Sequence, residues 1–396
     1  MPLSFCRNER SRLDFHRTPY LLDMPTKMLF KRLLDKIESK YLDFKQKLNP
    51  KTWAERSIVY YTGHTPYEWT PKNLKTGLGG SESAIIFLAR EWTKLGYQVT
   101  VYNNCGSQAE VYDGVEYIHY SQFNPYDKFE TLIIWRYPWR LDRNTKATRI
   151  FLDIHEVLMP EQVTPEKLAK FDKIFVKSRY HRSLLPLISD SKIAIITNGA
   201  NRDFFDYSNT EKEPYKLIYA SNYIRGLERM LSYGWPIIKK EVPQAYLKIY
   251  YGWQSLDESK PKNREWKAKM VDLMQQPGVS EHGRIGVDEL IREKATAAIN
   301  YYGCTFQEID CISVRESAII GCVPVTTDYA ALSEKDYCVK VPGNPYDRET
   351  HEALAYKIVE LLKAPEKLAE IRDRNRELVR KETWENIAKN WVLNWE

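Results

Sequence analysis

The sequence predicts an α/β protein made of two doubly wound halves, and three observations predict it. At 396 residues the chain is too long for one compact core and fits two domains of ordinary size. Short apolar runs alternate with helical stretches, the pattern of a parallel sheet covered on both faces. The alternation occurs twice, on either side of a polar, turn-rich join at residues 201–214 (NRDFFDYSNTEKEP). Two such halves with a hinge between them place a ligand in the cleft.

Residues 1–56 stand apart. From Thr26 to Leu48, apolar side chains including Phe30, Leu33, Leu34, Ile37, Tyr41 and Phe44 recur at three-and-four spacing, which predicts an amphipathic helix. Its other face carries seven Lys or Arg against three Asp or Glu, net +4. Such a face is either solvated while the helix packs on its own domain, or it makes a peripheral membrane contact through residues 26–48.

In the first half, SIVYYT (57–62) is a β-branched and aromatic strand, and a long Gly- and Pro-containing loop follows it. A helix from Ser81 to Leu95 stops at Gly96, before further strands at 98–102, 131–135, 149–154, 173–178 and 193–198. The second half has strands at 216–221, 245–252, 297–303, 323–327 and 338–342. Its helices are expected at 227–239, 262–274, 287–294, 315–320 and 351–362. The tail from Trp384 is helical and too apolar for a free end.

Composition narrows the function. Hydrophobic residues at 43% and charged residues at 28% exclude wholesale disorder. No apolar run approaches the roughly 20 residues of a membrane span, and the charged start lacks the apolar centre of a signal peptide. Six cysteines without paired spacing read as reduced thiols, so a cytoplasmic location is expected. A net charge of +6 suits phosphate-bearing ligands or an anionic membrane face. The basic residues follow no nucleic-acid-binding pattern, and no nucleic acid is expected as a partner.

The most informative stretch is TFQEIDCISVRESAIIGCVPVTT, residues 305–327, where Glu308 and Glu316 are separated by seven residues around a loop-to-helix junction. Gly321 falls where a helix C-terminal glycine belongs. Ser313 and Glu316 match a capping box, which would make Glu316 a cap. Glu308 has no cap to serve, so the cleft is its expected direction, with sugar hydroxyls rather than protein as its partner. Paired carboxylates here can accept hydrogen bonds from sugar or ribose hydroxyls, while backbone amides at the helix N-terminus hold a diphosphate.

This segment resembles the E-x7-E segment of glycosyltransferase family 4. GLGGSES (77–83), ITNGANRDFF (196–205), ASNYIRGLERML (220–231), HGRIGVDEL (282–290) and the tail TWENIAKNW follow in the family's order, so the resemblance covers residues 57–396. It implies the GT-B fold: an acceptor-side Rossmann-like domain at 57–205, a donor domain at 206–378, and a helix at 379–396 returning to the first domain. It implies a nucleotide-diphosphate sugar as donor substrate, a carbohydrate acceptor, retention of anomeric configuration, and neither cofactor nor metal. The chain has no Asp-x-Asp, which agrees with metal independence.

By the same resemblance, Glu308 meets the donor sugar and Glu316 the ribose, and Arg225, beside Gly226, neutralises the diphosphate. Gly79 and Gly80 let backbone approach the phosphates, and Cys311, Ile312 and Ser313 supply helix N-terminal amides. Gly252 and Arg284 lie near the nucleobase, and His155 ends a strand beside the reacting sugar. Two departures stand out. Ala220-Ser221 occupies the place of a usual Gly-Arg pair, leaving Arg179, Arg136 or Lys177 as the partner cation, and Cys311 replaces a usual glycine. Retention without a carboxylate nucleophile implies attack on the face of departure, with the diphosphate taking the acceptor's proton.

Two other classes are weighed. A Rossmann-type NAD-dependent oxidoreductase or epimerase lacks support, since Gly77-x-Gly79-Gly80 is not GxGxxG and the strand ending QVTVYNN has no acidic residue for a ribose. A non-catalytic sugar-nucleotide-binding protein is opposed by the presence of Glu308, Glu316 and Arg225 together.

Overall fold

The structure, a computed structural model, describes residues 41, 44–259 and 263–395. Met1–Pro50 and Lys51–Glu396 are separate compact units. In the first, residues 44–48 are helical; the rest of the helix expected over 26–48, with its membrane contact, lies almost wholly outside the described residues. No described helix is long and apolar enough to cross a membrane. The second unit begins at Lys51. There Asp127 accepts from the Lys51 amide at 2.8 Å and from Trp53 Nε1 at 3.0 Å, which holds 51–53 against the sheet.

The first half is an eight-stranded sheet. Its strands are β1 (Ser57–Tyr61), β2 (Gln98–Asn103), β3 (Glu110–Tyr112), β4 (Val115–His119), β5 (Lys128–Trp135), β6 (Lys146–Asp153), β7 (Lys173–Val176) and β8 (Ile193–Ile195). They lie in the order β3-β4-β2-β1-β5-β6-β7-β8, and every pair is parallel except β3–β4. That hairpin was not expected. Asp113-Gly114 joins it with positive φ at both residues (50° and 79°), the type I′ geometry that an Asp-Gly pair favours.

The second half is a six-stranded parallel sheet in the order β11-β10-β9-β12-β13-β14. The strands are β9 (Glu213–Ala220), β10 (Tyr246–Tyr250), β11 (Val279–Glu281), β12 (Ala297–Tyr302), β13 (Val323–Thr327) and β14 (Val339–Val341). Strand β13 is buried throughout and β12 likewise, which is why their sequences are continuously apolar rather than alternating. In each half the strand order reverses beside the first strand, between β1 and β5 and between β9 and β12. Ligands bind outside the carboxyl ends of strands at such a switch point.

Five helices position the site: α1 (Gly80–Lys94), α2 (Val287–Thr296), α3 (Ile312–Ile319), α4 (Pro365–Val379) and α5 (Trp384–Leu393). The helix expected at 315–320 begins earlier, at Ile312, and ends where Gly321 (φ +77°) turns the chain. Helix α5 leaves the second half and joins the core of the first. There Trp391 stacks on Phe175 with ring centroids 3.6 Å apart and meets Trp92 edge-on at 5.4 Å. The chain therefore crosses between the halves twice, and the crossings bond each other. The Ala200 amide donates to Glu382 O at 2.9 Å and the Trp384 amide to Ala200 O at 3.1 Å. A Cβ at Gly199 would sit 2.6 Å from the Trp384 nitrogen, so the close approach requires glycine.

Trp391 is fully buried, so Trp391→Ala removes both ring contacts and leaves a cavity. About 3–5 kcal/mol of stability should go, read as a lower urea midpoint, with Trp391→Phe losing clearly less. An unchanged midpoint in the alanine variant would mean that α5 adds nothing to the first half's stability.

The interdomain cleft as a candidate active site

The two switch points open onto one cavity of about 400 Å³, within the range of small-ligand sites. From the first half the Gly77–Gly80 loop enters it, ending at the N-terminus of α1. From the second half come the loop 306–311 and the N-terminus of α3. A Cβ at Gly80 would lie 3.7 Å from Ile312 Cδ1, so the two helix N-termini face each other across a gap of one side chain. Each end presents amides that no helical carbonyl bonds, and their positive dipole ends suit an anion.

Glu308 is buried and does have protein partners. Its Oε1 accepts from Arg225 Nη1 at 2.7 Å and from the Tyr302 hydroxyl at 2.6 Å. The expectation of a carboxylate without protein partners is thereby corrected: the loop folds Glu308 back under the Arg225 turn. Arg225 also lies over the Phe306 ring at 4.4 Å. Gly226 does not line the cavity. Its φ of +111° and a would-be Cβ only 2.0 Å from Gly303 O make it the packing residue that lets the Arg225 turn sit on the end of β12.

The capping box is also corrected. Cys311 is the N-cap of α3 and gives no side-chain cap bond. Burial pushes its thiol up to about 12, so it stays protonated. Ser313 donates instead to Ala220 O at 3.0 Å, pinning α3 to the end of β9. Glu316 sits a turn further on, where Lys294 Nζ of α2 reaches it at 2.8 Å. Lys294 is wholly buried, and nothing in the sequence marked it.

Arg136 is the suggested partner cation that lines the cavity. It stacks on Trp135 at 3.8 Å and pairs with Glu82 at 3.2 Å and Glu156 at 3.0 Å. Arg179 is exposed and pairs with Glu334 at 3.5 Å. Lys177 is buried against Asp153 at 2.5 Å. Arg284 lines the cavity with its guanidinium 4.8 Å from the Tyr251 ring. Gly252 packs behind Arg284 without lining the cavity itself.

His155 lines the cavity at the end of β6, with Nε2 3.0 Å from Asp153 Oδ2. That oxygen also takes the Tyr60 hydroxyl at 2.6 Å. A carboxylate only accepts, so Nε2 carries the proton and Nδ1 keeps a lone pair. Burial lowers the pKa of His155, and the Asp153 charge opposes that shift only in part, which leaves the ring neutral. Burial, with the Lys177 ammonium beside it, likewise brings His181 down to about 3.

Two parallel α/β halves facing one cleft, with the last helix returned to the first half, define the GT-B fold. Comparison with solved structures agrees. Sucrose-phosphate synthase from Thermosynechococcus elongatus matches with a TM-score of 0.64 at 14% identity, over 88% of this chain and 98% of that one. HepE from Anabaena, in complex with UDP-glucose, matches at 0.63 and 11% identity, over 86% and 99%. Trehalose 6-phosphate synthase from Burkholderia multivorans matches at 0.62 and 11%, over 86% and 98%. No family model and no curated protein matches the sequence.

Glu308→Gln should lose about 1–2 kcal/mol, because a charged hydrogen bond becomes a neutral one at a partly exposed arginine. Urea unfolding reads this, and an unchanged midpoint would show that the Arg225 pair contributes nothing.

The histidines give a pH signature. The unfolded chain binds protons below the ordinary histidine value near 6.5, whereas His181 stays neutral in the fold down to about 3. Stability should fall as pH drops from about 6.5 to 5, by at most about 1.4 kcal/mol per pH unit for each such histidine. His181→Asn should flatten that slope in melting curves, and an equally steep slope would exclude His181 as its source.

Proposed function

We propose that the protein is a retaining glycosyltransferase of the family 4 type, moving a hexose-type sugar from a nucleotide-diphosphate donor to a carbohydrate acceptor in the cytoplasm, without a metal or other cofactor. The observation that carries this reading is the opposition of two helix N-termini, at Gly80 and Ile312, beside Arg225, Arg284 and Arg136. Charge develops on a leaving diphosphate, and preorganised amides and guanidinium groups stabilise it where water is excluded. The complex of HepE with UDP-glucose supports a uridine nucleotide and a hexose. A contact of residues 26–48 with a membrane fits the exposure of Tyr41, Phe44 and Leu48.

In this reading the diphosphate lies between the helix ends and Arg225 spans Glu308 and a phosphate oxygen. Glu308, anchored through Oε1, offers its other oxygen to a sugar hydroxyl. Glu316, paired with Lys294, receives a ribose hydroxyl. His155 stays neutral and meets the transferred sugar, while the acceptor approaches from the side the diphosphate leaves and gives up its proton there.

The test is sugar transfer from UDP- and GDP-hexoses in the presence of EDTA, with the anomeric configuration of the product read by proton NMR. Retained configuration at an undiminished rate is expected. An inverted product would overturn the retaining mechanism, and activity lost in EDTA but restored by Mn²⁺ would overturn metal independence.

A further inference from the structure

One wall of the cleft carries two opposite charges that face it unequally. Val287, Leu290 and Lys294, spaced three and four apart, put one face of α2 on the cavity. Glu316 of α3 lines the cavity beside them. Lys294 has no exposed side-chain surface, whereas 12% of the Glu316 side chain is exposed. The carboxylate therefore stands in front and the ammonium behind it.

Lys294 Nζ donates to Glu316 Oε2 at 2.8 Å and to Ser313 O at 3.2 Å, so it ties the carboxylate to the backbone of its own helix. Glu316 Oε1 has no hydrogen-bond partner among the described residues. A buried ion pair is a poor device for stability, because apolar side chains of similar volume serve as well. What it supplies here is a fixed orientation. With Oε2 held and Oε1 open, Glu316 presents a single oxygen with two lone pairs. A carboxylate only accepts, so its ligand must donate. The 2′ and 3′ hydroxyls of a ribose offer two donors on adjacent carbons, and a 2′-deoxyribose offers one.

We propose that Lys294 is a positioning residue that fixes Glu316 as a reader of the ribose diol, and that the donor is a ribonucleoside diphosphate sugar rather than a thymidine-type deoxyribonucleoside one. This rests on the glycosyltransferase reading and adds the class of the donor's nucleoside to it. Lys294 touches no ligand and acts through Glu316. Losing either hydroxyl leaves a largely buried carboxylate oxygen short of a partner, and a site built around such bonds rejects the analogue that lacks one.

Calorimetric titration of the full chain with UDP, 2′-deoxy-UDP and 3′-deoxy-UDP, and with the matching guanosine series, tests this. Wild type should bind the ribonucleotide about tenfold more tightly than either deoxy analogue, the scale of one hydrogen bond to a charged group. Lys294→Met offers Glu316 no donor, and Lys294→Gln offers a neutral, shorter one. The preference should fall in both variants, and furthest in Lys294→Met. Urea unfolding shows which variants fold, and either one carries the comparison. A lysine that only supported the fold would weaken all three nucleotides alike, so an unchanged ratio in a folded variant would overturn the positioning role. Equal binding of the three by wild type would overturn the diol reading and leave the donor reading standing. No binding of any nucleoside diphosphate would overturn both.

Discussion

The cleft depends on one buried ion pair, between Asp310 and Arg315. Arg315 forks onto Asp310 with bonds of 2.8 and 2.9 Å, and neither residue has water to fall back on. Lys335 reaches the same carboxylate at 2.5 Å, while Arg315 Nε reaches Glu382 at 2.5 Å. Thr197 and Asn198 complete the set from the first half, at 3.0 and 2.9 Å. Burial alone would raise the Asp310 pKa, but Arg315 and Lys335 hold it far below the ordinary carboxylate range. Two anions and two cations thus cancel in a place where an unpaired charge would cost several kcal/mol.

The position of that cluster matters more than its strength. Asp310 lies between Glu308 and Cys311, inside the loop that shapes the donor side of the cleft. Asp310 is held from one chain crossing, at 197–198, and its partner Arg315 from the other, at Glu382. The loop and the hinge therefore cannot move independently: a rotation of one half pulls on the residues that set Glu308 and the N-terminus of α3. Buried polar groups satisfied by many partners have few alternative arrangements, which gives the cleft a defined geometry before any ligand arrives.

The alternation of strand and helix was legible because both sheets are parallel and covered on both faces, which leaves continuous apolar runs in the chain. Helix starts were less legible. Ser313 and Glu316 satisfy the spacing of a capping box, yet Ala220 and Lys294, far away in sequence, claim both side chains. Spacing reports local competition only. The same limit hid the pairing of Glu308 with Arg225 and Tyr302, and it hid Lys294, a buried lysine inside an ordinary-looking helix. Asp310 and Arg315 were within reach: two opposite charges inside a motif whose flanks are apolar are costly unless they meet. The β3–β4 hairpin was also within reach, through Asp113-Gly114.

The return of α5 has a consequence for synthesis. Trp92, Phe151 and Phe175 of the first half are covered by Trp391 and Trp395. Those two tryptophans follow β8 by roughly 200 residues, so at 5–20 residues per second a ribosome needs about 10–40 s to supply them. During that interval the first sheet is complete but its aromatic face is bare, and the second half emerges beside it with apolar strands of its own. The nascent first half thus exposes an aromatic patch, open to the wrong partners, until α5 has been made.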